Sequence, residues 1–275
     1  MAIKVCVVST KGGVGKTTSC VNLAGYLADQ LGQRVLLIDA DVQPTLSSYH
    51  HQYDYVAANG LSHLVHARVD DIVSRVSGFD DRLHIVRSDD PEGQLQNWIL
   101  HTPDGRVRLR HILRNSAALD ASYDIILIDT QGAVGPLQDA AVLAADFLVS
   151  PIPAELLSAR EFARGTLGML ERLAPMSYMG APVGPLMGLL YRMDRTRDAA
   201  GVAQALRQQT FSQSRGQIQI LNTVVPHAVA YRDAATAGQP VHRISPRQGD
   251  VMAALIEELF PHLGAGNDVD GEESA

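Results

Sequence analysis

Cysteine is scarce in this 275-residue chain: Cys6 and Cys20 are the only two. Two thiols without paired spacing exclude a disulfide scaffold and a cysteine-ligated metal or iron–sulfur site. Both fall on apolar segments, a predicted strand and a predicted helix, where buried core thiols are expected. No basic, apolar and small-residue leader opens the sequence, and no apolar run is long enough to span a bilayer, so a cytoplasmic protein is expected. Internal repeats and low-complexity tracts are also lacking. The ten histidines form no metal set. His50 and His51 would diverge on a strand, and His63 and His66, three apart, have no carboxylate pattern beside them, so the histidines read as exposed or loop residues.

What remains is ordinary globular material, 46% hydrophobic and 19% charged. The length is near the limit for one core and predicts a single domain over residues 1–263. Residues 264–275, rich in Gly, Asp and Glu, have the composition of a disordered tail. A net charge of −7 argues at first against nucleic acid, but the charge is segregated. From Tyr191 to Arg247 eight arginines face three acids, a local excess of +5, whereas Gln248 onward carries seven acids and no Lys or Arg.

Short β-branched runs alternate with longer helical patterns: Ile3–Val8, Arg34–Asp39, Leu83–Val86, Asp124–Asp129, Phe147–Ile152, Pro185–Tyr191 and Ile218–Val225. The alternation predicts an α/β fold with a doubly wound, mostly parallel sheet flanked by helices on both faces, because runs such as Ile125–Ile128 are apolar on every residue. From Thr17, the residues Val21, Ala24, Leu27, Ala28 and Leu31 recur at helical spacing, and Gly32 ends the helix. Residues 50–82 lack a clear period; Leu61–Val65 and Val69–Val76 are expected as short helices.

Lys11-Gly12-Gly13-Val14-Gly15-Lys16-Thr17-Thr18 lies between the first strand and this helix, the setting a P-loop requires. Glycines let the backbone curl around phosphate oxygens and aim N–H groups at them, and the helix N-terminus adds partial positive charge there. Lys16 is placed to reach the β- and γ-phosphates of ATP and the Thr17 hydroxyl to ligate Mg²⁺. The competing reading is a glycine-rich turn with a chance Lys and Thr. Asp39 and Asp41, at i and i+2, share one side of the second strand, and Asp129 ends a strand of the Walker B kind. Taken singly, such a carboxylate could instead cap the helix that follows.

The standard P-loop has a glycine where this chain has Thr10, and a second lysine, Lys11, precedes the glycines. In this it resembles the ParA/MinD group of deviant-Walker ATPases, and within that group the ParA/Soj partition ATPases. Weaker matches run through Gly188-Leu189-Leu190, Asp194-Arg195-Thr196, Val225-Pro226 and Gly238-Gln239-Pro240-Val241 to about residue 260. The resemblance implies an ATP-dependent sandwich dimer in which Lys11 crosses to the partner's nucleotide. It further implies that Asp41 orients the attacking water, that Asp39 and Asp129 support the magnesium, and that Pro226 and His227 lie near the adenine. Family members bind DNA without sequence preference through arginines of this half, here Arg232, Arg243 and Arg247, and answer to a ParB-like partner. A solvated basic face is the alternative for those arginines. Departures are Asp41-Val42-Gln43-Pro44 where relatives read Asp-Pro-Gln, Thr130-Gln131-Gly132 where they often read Pro-Pro, and Ala230 at the place of an arginine.

A MinD-type membrane-associated positioning ATPase is the neighbouring alternative. It needs a C-terminal amphipathic helix with basic residues, which residues 248–275 do not supply. A metabolic or metal-transfer P-loop enzyme, such as a dethiobiotin synthetase or an iron–sulfur carrier, finds no supporting residues.

Overall fold

The computed structural model describes residues 1–194, 196–213 and 217–264; the acidic tail expected from residue 264 falls, beyond its first residue, outside them. Among the described residues nine strands form one sheet: β1 (Ile3–Val7), β2 (Val35–Ala40), β3 (Tyr53–Tyr55), β4 (Ser74–Val76), β5 (Leu83–Val86), β6 (Ile125–Thr130), β7 (Phe147–Pro153), β8 (Leu186–Met193) and β9 (Ile218–Pro226). Their order is β3-β4-β5-β2-β6-β1-β7-β8-β9. All pairings from β5 to β9 are parallel, and only the edge pairs β3–β4 and β4–β5 are antiparallel. The helices are α1 (Lys16–Leu31), α2 (Leu61–Val65), α3 (Gln94–His101), α4 (Gly105–Asn115), α5 (Ala117–Ser122), α6 (Pro136–Ala144), α7 (Leu156–Glu161), α8 (Leu167–Leu173), α9 (Arg197–Gln213), α10 (Ala230–Ala237), α11 (Pro246–Leu259) and α12 (Pro261–Gly264).

Strand alternation divides the core in two. Val5, Val7, Val35, Leu37, Ile125 and Leu127 pack with α1 and α11, while Cys6, Leu36, Ile38, Ile126 and Ile128 pack with α2, α3, α4 and α6. Asp39 and Asp129 fall on the parity of Leu37 and Leu127, so the fold delivers both carboxylates to the α1 face, in register on neighbouring strands. The chain leaves β1 for β2 on one side and builds β7, β8 and β9 on the other. That reversal opens a crevice at the carboxyl ends of the strands, where ligands of such sheets bind.

The seven long strands and α1 lie within a residue or two of their expected bounds, and Leu61–Val65 is a helix as expected. Val69–Val76 is not. Asp71 has φ +50°, which a right-handed helix excludes; its backbone carbonyl accepts from the Asn59 N–H and its carboxylate from the Ala58 N–H, and the segment ends as β4. Cys6 and Cys20 are buried free thiols. His50 sits in a loop, as expected, and is buried there, with Nδ1 3.3 Å from the Gly238 carbonyl oxygen.

Candidate nucleotide site

The P-loop curls because Gly13 and Gly15 take positive φ, 72° and 99°. At Gly15 a side chain is excluded twice over, since a Cβ there would lie 2.2 Å from Cε1 of Tyr191. Gly15 starts α1 without a side-chain cap, leaving the first N–H groups of a 16-residue helix facing the loop. Lys16 is buried and its Nζ donates to the Lys11 carbonyl at 3.2 Å, so the ammonium is folded back over the loop it would share with a phosphate. Desolvation lowers its pKa below the ordinary lysine value, opposed by the nearby Asp129 and Asp41.

The Thr17 hydroxyl donates to Asp129 Oδ2 at 2.6 Å, joining helix and Walker B strand. Burial pushes the Asp129 carboxyl up to about 7, against the Thr17 hydrogen bond, and with Asp39 adding repulsion. Burial likewise raises Asp39 to about 6, against the bonds from Ser47, whose N–H and hydroxyl donate to Asp39 Oδ2 at 2.8 and 2.6 Å. The other oxygen, Asp39 Oδ1, is buried without a hydrogen-bond partner. Asp41 lies just past β2, half-buried; its Oδ1 accepts the Gln43 N–H at 3.0 Å, and its carbonyl accepts the Ser88 hydroxyl at 2.6 Å. A hydroxyl and carboxylates around one point, with an orphaned carboxylate oxygen, form a hard oxygen donor set that fits Mg²⁺. The uncapped helix start beside them fits a polyanion.

Lys11 points away from its own loop. Its Nζ pairs with Glu161 Oε2 at 2.9 Å and stands 3.4 Å from Ser158 Oγ, both on α7. The loop after β6 presses on the P-loop: a Cβ on Gly132 would come within 2.7 Å of Gly12 Cα. Buried Gln138 ties the two together by donating to the carbonyls of Ser9 and Gln131 at 3.2 and 3.1 Å. Val14 is buried beneath the loop, and the Thr18 hydroxyl hydrogen bonds Tyr191. Pro226 ends β9 beside Met193, whose carbonyl accepts the His227 N–H at 3.2 Å, so the suggested base-binding edge lies at the ends of β8 and β9, next to Tyr191.

The three suggested DNA-contacting arginines do not share one environment. Arg232 on α10 and Arg247 on α11 are exposed. Arg243 is also on the surface but is engaged: Nε and Nη2 each donate to an Asp29 carboxylate oxygen at 2.7 Å, Nη2 also reaches the Gly78 carbonyl, and Cζ stacks 4.1 Å from the Phe79 ring centre. Its charge is already balanced within the fold, a partner no count of basic residues could foresee. Arg195 and Arg215 lie outside the described residues. The roles of Ser47, Gln138, Ser158 and Glu161 were also not anticipated, because each acts through a contact distant in sequence.

Residues 2–167 match a family model described as an AAA domain. The chromosome-partitioning ATPase Soj of Thermus thermophilus is 30% identical over 265 residues, covering 94% of this chain and 96% of Soj. The maintenance of carboxysome distribution protein A of Synechococcus elongatus is 32% identical over 218 residues, 79% of this chain and 82% of that protein. A structure of Cyanothece McdA with ATP has the same fold, with a TM-score of 0.78 at 22% identity over 94% of this chain and 96% of that one. No described helix is long and apolar enough to cross a membrane. The glycine nest, the carboxylates on the α1 face and full-length similarity to Soj converge: this chain belongs to the ParA/Soj-type partition ATPases.

Proposed function

We propose that the protein is a Mg-dependent ATP hydrolase that works as a ParA-like positioning switch. In this reading it closes into an ATP-dependent homodimer, binds DNA without sequence preference, and hydrolyses ATP when a ParB-like partner engages it, thereby segregating or positioning DNA or another cargo on the nucleoid. The observation that carries it is the Thr17–Asp129 hydrogen bond set beneath an αL glycine nest, with Lys16 buried over the loop.

The chain's own groups divide the work. Amides of Gly12 to Thr18 cradle the phosphates, Lys16 compensates their charge, and Asp41 orients the attacking water; Thr17, Asp39 and Asp129 would hold the magnesium, which when bound neutralises phosphate charge. Lys11 acts in trans. Its side chain is 39% exposed at the loop's edge. Exposed apolar residues flank it, Val134 in the loop that touches Gly12 and Leu157 in the helix that holds Lys11, as an interface closing over this edge would use. Supplying the second cation from a partner makes turnover depend on dimerisation, so each hydrolysis event resets the assembly.

DNA contact is assigned to Arg232 and Arg247, whereas Arg243 is held by Asp29 and acts as a brace within the fold. The test is an ATP-dependent shift of arbitrary duplex DNA at two salt concentrations, with liposome pelleting alongside. Binding that needs ATP and falls steeply with salt is expected, with no pelleting. Binding indifferent to ATP or to salt would contradict the reading, and lipid-dependent pelleting would favour the membrane alternative.

A further inference from the structure

At Arg192 the backbone takes a conformation that side chains rarely adopt. Tyr191 pairs with Val225 and Met193 with Pro226, so Arg192 is an extra residue in β8 at a break in the ladder. Its φ is +52°, in the left-handed region that costs any residue with a Cβ and that glycine commonly fills at such bulges. Arginine gains nothing there from its backbone, so the reason for it lies in its side chain.

A bulge re-aims a side chain, and this one aims Arg192 at the P-loop. Its Nη1 lies 3.4 Å from the Gly13 carbonyl oxygen, and Cζ sits 5.7 Å from the centre of the Tyr191 ring. Tyr191 is itself the wall against which Gly15 packs, and its hydroxyl bonds Thr18, so both residues of the dipeptide address the same loop. The guanidinium bonds the neighbouring Tyr191 hydroxyl and makes a long contact to the Gly13 carbonyl, both neutral acceptors, and no carboxylate among the described residues pairs with it. A phosphate would be the far better partner, because guanidinium grips phosphate oxygens through two parallel N–H donors with full charge assistance.

We infer that Arg192 is a phosphate-contact residue: with nucleotide in the P-loop, its guanidinium exchanges the Gly13 carbonyl for the phosphate chain and closes that side of the site. This rests on the nucleotide reading above and adds a cation, delivered by strand β8, to those of the P-loop itself.

Three variants separate side chain from backbone. Arg192→Ala removes the guanidinium, Arg192→Gly removes it and the backbone cost together, and Arg192→Lys keeps charge without the fork. Titration calorimetry of the full chain with Mg-ATP is expected to show about tenfold weaker binding for R192A and R192G, with R192K between them and the wild type. Without nucleotide, R192G is expected to melt above R192A, which shows that its weaker binding is not a folding defect. Wild-type affinity in R192G would overturn the inference. Absence of Mg-ATP binding by the wild type would instead remove the nucleotide reading, so the two failures are distinguishable.

Discussion

The Thr17 hydroxyl and the Asp129 carboxylate meet at 2.6 Å although 112 residues separate them, which fixes the start of α1 against the end of β6. Register does the rest, since Asp129 lies beside Asp39 on the neighbouring strand. Two acids buried side by side cost folding energy that a site for a cation recovers only when it is used.

That cost makes Asp129→Asn informative. The amide keeps the shape and removes a carboxyl that is 1% exposed, so nucleotide-free protein is expected to melt higher than the wild type. Hydrolysis is expected to fall by about 100-fold or more, with loss of the Mg-ATP-induced rise in Tm. Thermal shift with and without Mg-ATP reads both signs at once, and a lowered apo Tm with intact turnover would count against the assignment.

Asp41→Ala separates binding from chemistry. Asp41 is half-buried at the strand end and bonds only its own turn through its carboxylate, so ATP binding and dimerisation should persist while turnover drops by about 100-fold or more. Undiminished phosphate release would remove Asp41 from its role.

Gly15→Ala probes the nest. A Cβ at φ +99°, pressed 2.2 Å from the Tyr191 ring, is expected to destabilise the fold by about 1–3 kcal/mol and to abolish nucleotide binding. Chemical denaturation and calorimetry measure the two effects; a stable variant with normal affinity would show that the loop does not need this conformation.

The arginines should part company. Arg243→Ala is expected to cost about 1–2 kcal/mol of stability, because it strips Asp29 of a bidentate partner. Arg232→Ala and Arg247→Ala should leave the Tm unchanged and weaken DNA binding. Burial pushes Asp29 up, but the bonds from His242 and Arg243 outweigh it and hold the carboxyl below its usual value. The stability it contributes is therefore present above the ordinary aspartate range and lost as pH falls through the depressed pKa, so Asp29→Asn should be destabilising near pH 7 and converge on the wild type in acid. Equal Tm values at neutral pH would refute the brace.

Much of the site was legible because its parts are local. Lys16 and Thr17 are adjacent in a glycine-rich loop, and Asp39 and Asp129 end apolar runs too regular to be anything but central strands. The short strands Tyr53–Tyr55 and Ser74–Val76 were not legible, since three residues carry no period and the loop around Asp71 sits between them. Nor could sequence alone show that Glu161 holds Lys11 or that Asp29 claims Arg243, because those partners meet only once the sheet is assembled. Arg192 counted as one more surface charge until the bulge in β8 showed where it points.

Calorimetric titration of the purified chain with ATP, in magnesium and in chelator, tests the central claim most directly. The account predicts saturable one-to-one binding that depends on magnesium and disappears in Lys16→Ala. Binding unaffected by chelator, or retained at full affinity by that variant, would contradict it.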